Sequence, residues 1–479
     1  MRCSCTEWRN KRKRNWAMKN NNKLSVVLLT VIFIICRIPY LIAYYPGLMI
    51  YDTASSILQF YGYPTFAASL SNVPGAILTN HHGVLYTLLM GGAVRLGELL
   101  GSQNTGFFIY ILLQTVLGSA VAAYSMIVLS GYVHKAVLLT AGAAFAFIPL
   151  ISIWTITMSK DSLFAIIGTI LCVMLFRIVM SGGKLLKNGM FMVRLFAVNV
   201  LLTFTKNVGA YILLFCALFL ILYYRRAWYC AAASFALPAI LYLTVISGIV
   251  LPAFHVAPSG KQEMLGFMLQ QTACCVKEYP QEITAEEIEA ISEVLPYEEL
   301  SDLYDPISQD GVKFRFDQNA SSESVKRYIK TWFFMFFKHP RAYWNATMRI
   351  TGSYFIPVPG GHEYMPRLAG NVKLLKENEA FDLHCAGSKE LRDMMNRLIT
   401  GMADTPVIGL LFQKSFYVWA AILCVLLAAV LPKKERILFL LPYIVQILFL
   451  FIAPVASTRY ILLLIMAFPF MAGSMMTGK

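Results

Sequence analysis

Residues 24–52 read LSVVLLTVIFIICRIPYLIAYYPGLMIYD, a predominantly apolar run from Leu24 to Tyr45 that gives way to Pro46, Gly47 and then Asp52. About 20 such residues cross the hydrocarbon core of a bilayer as one helix. The run is too long for the core of a cleaved signal peptide and has no small-residue cleavage site, so it reads as a retained first span. Eight of the first 23 residues are Lys or Arg, and a basic tail ahead of an apolar span holds that end in the cytoplasm. Arg37, inside the run, is expected to snorkel outward along its apolar stem.

The rest of the chain repeats this pattern. Of 479 residues, 58% are apolar and only 14% charged, against roughly a quarter charged in a soluble domain. That composition excludes a disordered chain, a collagen-like fibre and a disulfide-stapled secreted scaffold. Further apolar runs lie at about 106–130, 136–157, 162–181, 191–205, 208–224, 228–250, 406–431, 437–453 and 460–477. Thr205-Lys206-Asn207 breaks the run at 191–224 and is expected to form a tight turn. The predicted fold is an all-α polytopic membrane protein of about ten spans.

The net charge of +15 would suit a nucleic-acid binder, but its distribution argues otherwise. Residues 251–404 hold 16 basic and 21 acidic residues, a net of −5, so the basic excess falls on the N-terminal tail, the membrane segments and their short loops. No nucleic-acid partner is expected. The run at 83–100, with Arg95 and Glu98 one turn apart, is ambiguous. Placing it on the outer surface as an interfacial helix puts 19 Lys and Arg inside and leaves only Arg95, Lys160, Lys206 and Arg459 in the short outer loops. That asymmetry selects a topology with both termini cytoplasmic. Four segments follow: a basic tail 1–23, a membrane module 24–250 with its first outer loop at 46–104, an outer region 251–404, and three spans in 405–479. In the outer region, Thr284 to Glu287 reads as a capping box. The helix from Ser324 to Lys338, rich in Phe and Trp, is expected to lie on or dip into the outer leaflet.

Outside 251–404 there are five carboxylates: Glu7, Asp52, Glu98, Asp161 and Glu435. Glu7 and Glu435 sit among basic residues, and Glu98 has Arg95 as its neighbour. Asp52 and Asp161 remain, 109 residues apart, at the same predicted outer boundary. Ionisable groups near membrane depth are costly and mark function, although Asp161 at a helix start also serves as an ordinary cap. Asn80-His81-His82, Lys160, Lys206 and Arg459-Tyr460 fall on the same side. Carboxylates ringed by such groups suit a phosphate-bearing lipid: the cations would hold the phosphate. A carboxylate would deprotonate an acceptor hydroxyl or hold a divalent cation, Mg or Mn, with Asp52 and Asp161 as its ligands.

A long first outer loop with an early Asp, a closing interfacial helix and a second acid after span 3 resembles the GT-C glycosyltransferases. These include protein O-mannosyltransferases, lipid A aminoarabinose transferases and oligosaccharyltransferase catalytic subunits. Tyr45-Pro-Gly-Leu-Met-Ile-Tyr-Asp52, Asn80-His-His-Gly-Val-Leu-Tyr-Thr-Leu-Leu89, Ser159-Lys-Asp161, Thr205-Lys-Asn207 and Arg459-Tyr460 also look like an uncharacterised bacterial multi-span family associated with that superfamily. Its usual form has Pro where Gly83 stands. The resemblance covers about residues 24–250 and implies a GT-C-like fold in the bacterial cell membrane. It further implies sugar transfer, with inversion, from a polyprenyl-phosphate donor to an envelope glycan, lipid or protein. Asp52 would be the catalytic base or metal ligand, and Asp161 the metal or donor-phosphate partner. His81, His82, Lys160, Lys206, Arg459 and Tyr460 are assigned to the substrate phosphate on charge and position alone. Two other classes fit the same composition: a transporter or flippase of lipid-linked glycan, and a non-catalytic membrane component.

Overall fold

The computed structural model describes residues 25–71, 73–357, 365–430 and 434–477. The basic tail 1–23, Lys433 and Lys479, which contribute to the charge argument, lie outside them. The chain is a helical membrane protein. Among the described residues five helices are long and apolar enough to cross a bilayer: Ser25–Ala43 (α1), Gln103–Leu129, Lys160–Met180, Arg225–Ala253 and Thr458–Met475. A sixth span is available if Lys135–Phe147 and Pro149–Thr155, bent by 51°, count as one. Four shorter apolar helices accompany them, Gly189–Thr205, Val208–Tyr223, Lys414–Val430 and Ile437–Leu450.

In chain order, α1 leads into a two-residue strand β1 (Leu48–Met49) and helix α2 (Tyr51–Phe60), followed by α3 (Val84–Leu99) and α4 (Gln103–Leu129). The bent pair α5 (Lys135–Phe147) and α6 (Pro149–Thr155) ends in β2 (Thr157–Met158), which opens α7 (Lys160–Met180). Next come α8 (Gly189–Thr205), α9 (Val208–Tyr223) and α10 (Arg225–Ala253). The outer region contributes α11 (Gln262–Glu278), α12 (Ala285–Ser292), α13 (Ser322–Lys338), α14 (Pro340–Thr351), β3 (Arg367–Leu368) and α15 (Lys389–Ala403). The chain finishes with α16 (Lys414–Val430), α17 (Ile437–Leu450) and α18 (Thr458–Met475).

The three strands form one small sheet in the order β2-β1-β3, with β1 parallel to β2 and antiparallel to β3. Two-residue strands have little stability of their own, so their surroundings hold them. Leu48, Met49, Thr157 and Met158 are fully buried. Gln114, from the middle of α4, donates to the carbonyls of both Thr155 and Thr157 at 2.8 Å. Gly47 enters β1 at φ +142°, and a Cβ there would lie 2.7 Å from Ile111. Only glycine takes this backbone conformation without strain and without pushing aside the Ile111 side chain.

The outer region is not one body. Residues of α11 to α14 surround a core of their own, including Leu269, Ile291, Tyr328 and Met335. Leu375, Met395 and Ile399 from its later part instead join the core of the membrane helices. The capping box at Thr284 and Glu287 is present. Cys274, Cys275 and Cys385 are free thiols, the first two buried.

Arg37 corrects the sequence reading: it is buried, 1% exposed, and does not snorkel. Its Nη1 donates to Phe33 O at 2.7 Å and its Nη2 to Phe145 O at 3.4 Å. The reason lies across the bundle at Pro149. The N–H that would bond to Phe145 O in a continuous helix is the one proline lacks, and the helix bends there. Arg37 supplies that missing donor, as buried backbone requires. In a double-mutant cycle of thermal unfolding in detergent, Arg37→Met should therefore cost less in a Pro149→Ala background, with a coupling of about 1 kcal/mol. A cycle that closes at zero would remove this pairing.

Candidate functional site

The parallel register of Leu48 with Thr157 and Met49 with Met158 brings the starts of α2 and α7 side by side. Asp52 lies in the first turn of α2, and Lys160 and Asp161 in the first turn of α7. Thr53 locks the join: its hydroxyl donates to Met158 O at 2.5 Å and accepts from the Tyr86 hydroxyl at 2.7 Å. Ser159 caps α7 by accepting from the Asp161 N–H at 3.1 Å.

Asp52 Oδ2 stands 2.8 Å from Arg459 Nη1, 3.2 Å from Lys160 Nζ and 3.6 Å from His82 Nδ1. Burial pushes this carboxyl up, but the Arg459 and Lys160 charges outweigh it and hold Asp52 well below the usual carboxylate range. His82 Nδ1 is also 3.1 Å from Lys160 Nζ. The ammonium can only donate, so the imidazole accepts and is neutral, and its approach to Asp52 is a contact rather than an ion pair. Burial and the Lys160 charge together hold His82 well below its ordinary 6.5.

The second carboxylate forms its own pair. Lys206 follows the end of α8, as the predicted turn requires, and its Nζ donates to Asp161 Oδ1 at 2.5 Å. Asp161 is 1% exposed, and its Oδ2 is buried without a hydrogen-bond partner among the described residues. Tyr460 joins the two pairs: its hydroxyl accepts from Arg459 Nη2 at 2.9 Å, and Lys206 Nζ lies 5.1 Å from its ring centre. The structure thus brings together Asp52, His82, Lys160, Asp161, Lys206, Arg459 and Tyr460. His81 stands one step away. It packs edge-on against His82 at 4.5 Å and turns its Nδ1 to Ser259 Oγ at 3.3 Å, where the outer region begins.

Thr53, Tyr86, Gln114 and Gln446 are supporting residues missed in the sequence reading. Gln446 donates to the Tyr460 carbonyl at 2.5 Å. The signal for the two glutamines was available: a lone amide within an apolar run is costly unless it has a partner.

Three full positive charges face two carboxylates, with His82 neutral. Arg459, Lys206 and Lys160 are 22%, 17% and 12% exposed, while Asp161 is sealed behind them. Such a mouth suits an anion, and planar or tetrahedral oxyanions most of all. It does not fit a divalent cation, which would have to displace a guanidinium and an ammonium from Asp52. Among the described residues no group of three or more His, Cys, Asp or Glu side chains is placed to hold a metal ion.

A family model described as "Family of unknown function (DUF6020)" matches residues 4–478, taking in the membrane helices, the site and the outer region together. The chain belongs to the DUF6020 family. No curated protein and no solved structure matches it.

Two outcomes follow from the site geometry. Asp161→Asn leaves Lys206 half of a buried pair and should cost about 3–5 kcal/mol in unfolding, most of it recovered in Asp161→Asn/Lys206→Met. His82 is neutral when folded, whereas unfolded it would take up a proton near pH 6.5. Stability is therefore full above that pH and declines as pH falls below it, by up to about 1.4 kcal/mol per unit. His82→Asn should flatten the unfolding profile between pH 7 and 5, and an unchanged slope would count against the neutral assignment.

Proposed function

We propose that this DUF6020 member is a membrane glycosyltransferase of GT-C type that uses a polyprenyl-phosphate-linked sugar at the outer face of a bacterial cell membrane. The observation that carries the reading is the meeting of Asp52 with Arg459 and Lys160, from segments more than a hundred residues apart. In the proposed topology, the five long helices, the bent pair taken as one span and the four shorter helices make ten spans. Both termini are cytoplasmic, and α3 lies at the outer interface.

In this reading Arg459, Lys160 and Lys206 receive the donor phosphate, which replaces Asp52 as the partner of Arg459 and Lys160 while Lys206 keeps its bond to Asp161. Asp52, released from its cations, accepts the proton of the acceptor hydroxyl. The acceptor oxygen forms a bond to the anomeric carbon while the bond from that carbon to the phosphate oxygen breaks, and the leaving polyprenyl phosphate keeps the electron pair. Attack opposite the leaving group inverts the anomeric centre. Asp161 positions Lys206, and the His81 and His82 loop borders the acceptor side, facing an envelope glycan, lipid or protein. No step requires a metal.

A flippase of lipid-linked glycan is the second reading, favoured by the bent α5 and α6 pair with Arg37 at its break, since transporters use discontinuous helices. Purified protein in nanodiscs with a labelled polyprenyl-phosphate sugar separates the two. Glycosyl transfer predicts a covalent product, lost in Asp52→Asn at normal expression. Arg459→Gln should raise the KM for the donor about 10- to 100-fold, the worth of a charged hydrogen bond. Wild-type transfer by Asp52→Asn would remove that residue from the chemistry, and flux across proteoliposomes without product would favour the flippase.

A further inference from the structure

The strongest unassigned feature is the outward face of α13. One side of this helix is committed: Tyr328 and Met335 are fully buried in the separate outer core. On the other side Phe333, Phe334 and Phe337 are 50%, 54% and 64% exposed, and Trp344 of α14 is 62% exposed. The exposed rings touch one another, Phe333 with Phe337 at 5.2 Å and Phe336 with Phe337 at 5.3 Å. A contiguous aromatic patch of this kind marks an interaction surface.

The charges along the same face identify the partner. Lys326, Lys330, Phe333 and Phe337 recur at helical spacing, so the cations occupy the N-terminal half of the stripe and the rings the C-terminal half. Among the described residues Lys326, Lys330 and Arg341, all exposed, form no ion pair, whereas their neighbours Arg327 and Lys338 are paired with Glu289 and Glu287. The one carboxylate on α13 is Glu323, in its first turn. A second copy of this face would leave the lysines without counter-charge. A leaflet offers both complements at once, hydrocarbon for the rings and phosphate for the lysines.

We infer that α13 docks the outer core onto the membrane surface, inserting Phe333, Phe334 and Phe337 among acyl chains while Lys326 and Lys330 bind anionic headgroups. This docking is independent of glycosyl transfer. It selects lipids by charge and holds the outer core at the height of the bilayer.

The test uses the full chain with a photoreactive p-benzoylphenylalanine at position 337, an exposed site where the larger ring strains no core. The protein is placed in nanodiscs of phosphatidylglycerol and phosphatidylcholine, irradiated, and its adducts weighed. The expected result is lipid adducts enriched at least threefold in phosphatidylglycerol over its share of the disc. Lys326→Gln/Lys330→Gln should return the ratio to that share with the adduct yield retained. Adducts to a second protein copy, the absence of lipid adducts, or lipid adducts without enrichment would each overturn the inference.

Discussion

The parallel pairing of Leu48–Met49 with Thr157–Met158 is the constraint on which the site depends. It is two residues long on each strand, and hydrogen bonding alone would not keep it. Its strength comes from full burial, where a backbone group without a partner costs far more than the bond itself is worth. Gln114 accepts that logic from the side, bonding the carbonyls on either side of Ile156. Because both strands run directly into helices, the register that satisfies the backbone also determines which side chains face one another. A slip of one residue would turn Asp52 away from Lys160.

The charges assembled there are costly, and their arrangement indicates what the cost supports. Two carboxylates and three cations in a largely buried setting gain little net stability, because desolvation offsets most of the attraction. The cluster carries one more cation than carboxylates, and Arg459 and Lys206 are more exposed than the carboxylates they pair with. Asp52 serves three neighbours, Arg459, Lys160 and His82. In the proposed transfer, an oxyanion entering past Arg459 and Lys206 would relieve that crowding and release Asp52.

Much of this was legible in the sequence, for identifiable reasons. Long apolar runs have few alternatives to spanning a bilayer, and Asp52, Asp161, Lys206 and Arg459 stood out because charge is scarce beside such runs. The tight turn at Lys206 and the capping box at Thr284 were written in local residue order. What stayed hidden depends on distant partners. No local signal marks Leu48–Met49 as a strand, since its pairing is chosen by residues over a hundred positions away. Arg37 read as a snorkelling side chain because its true acceptor, Phe145 O, is exposed by a proline on another helix. The division of the outer region was equally nonlocal: Leu375 and Met395 look no different in sequence from Leu269 and Met335, yet they join a different core.

The outer core is tied to the site through the segment that carries Arg459. Gln309 donates its backbone N–H to Pro454 O at 2.9 Å and its side-chain amide to Ala453 O at 3.0 Å. Tyr354 bonds the carbonyls of Val455 and Ser457, and Lys414 reaches Ala456 O at 2.5 Å. Every carbonyl from Ala453 to Ser457, in the loop between α17 and α18 just ahead of Arg459, is thus held by a side chain or backbone group from elsewhere in the chain. The guanidinium that reaches Asp52 is aimed by these bonds rather than by the membrane helices alone. A displacement of the outer core that moved Gln309 would pull on this loop, which leads directly into Arg459.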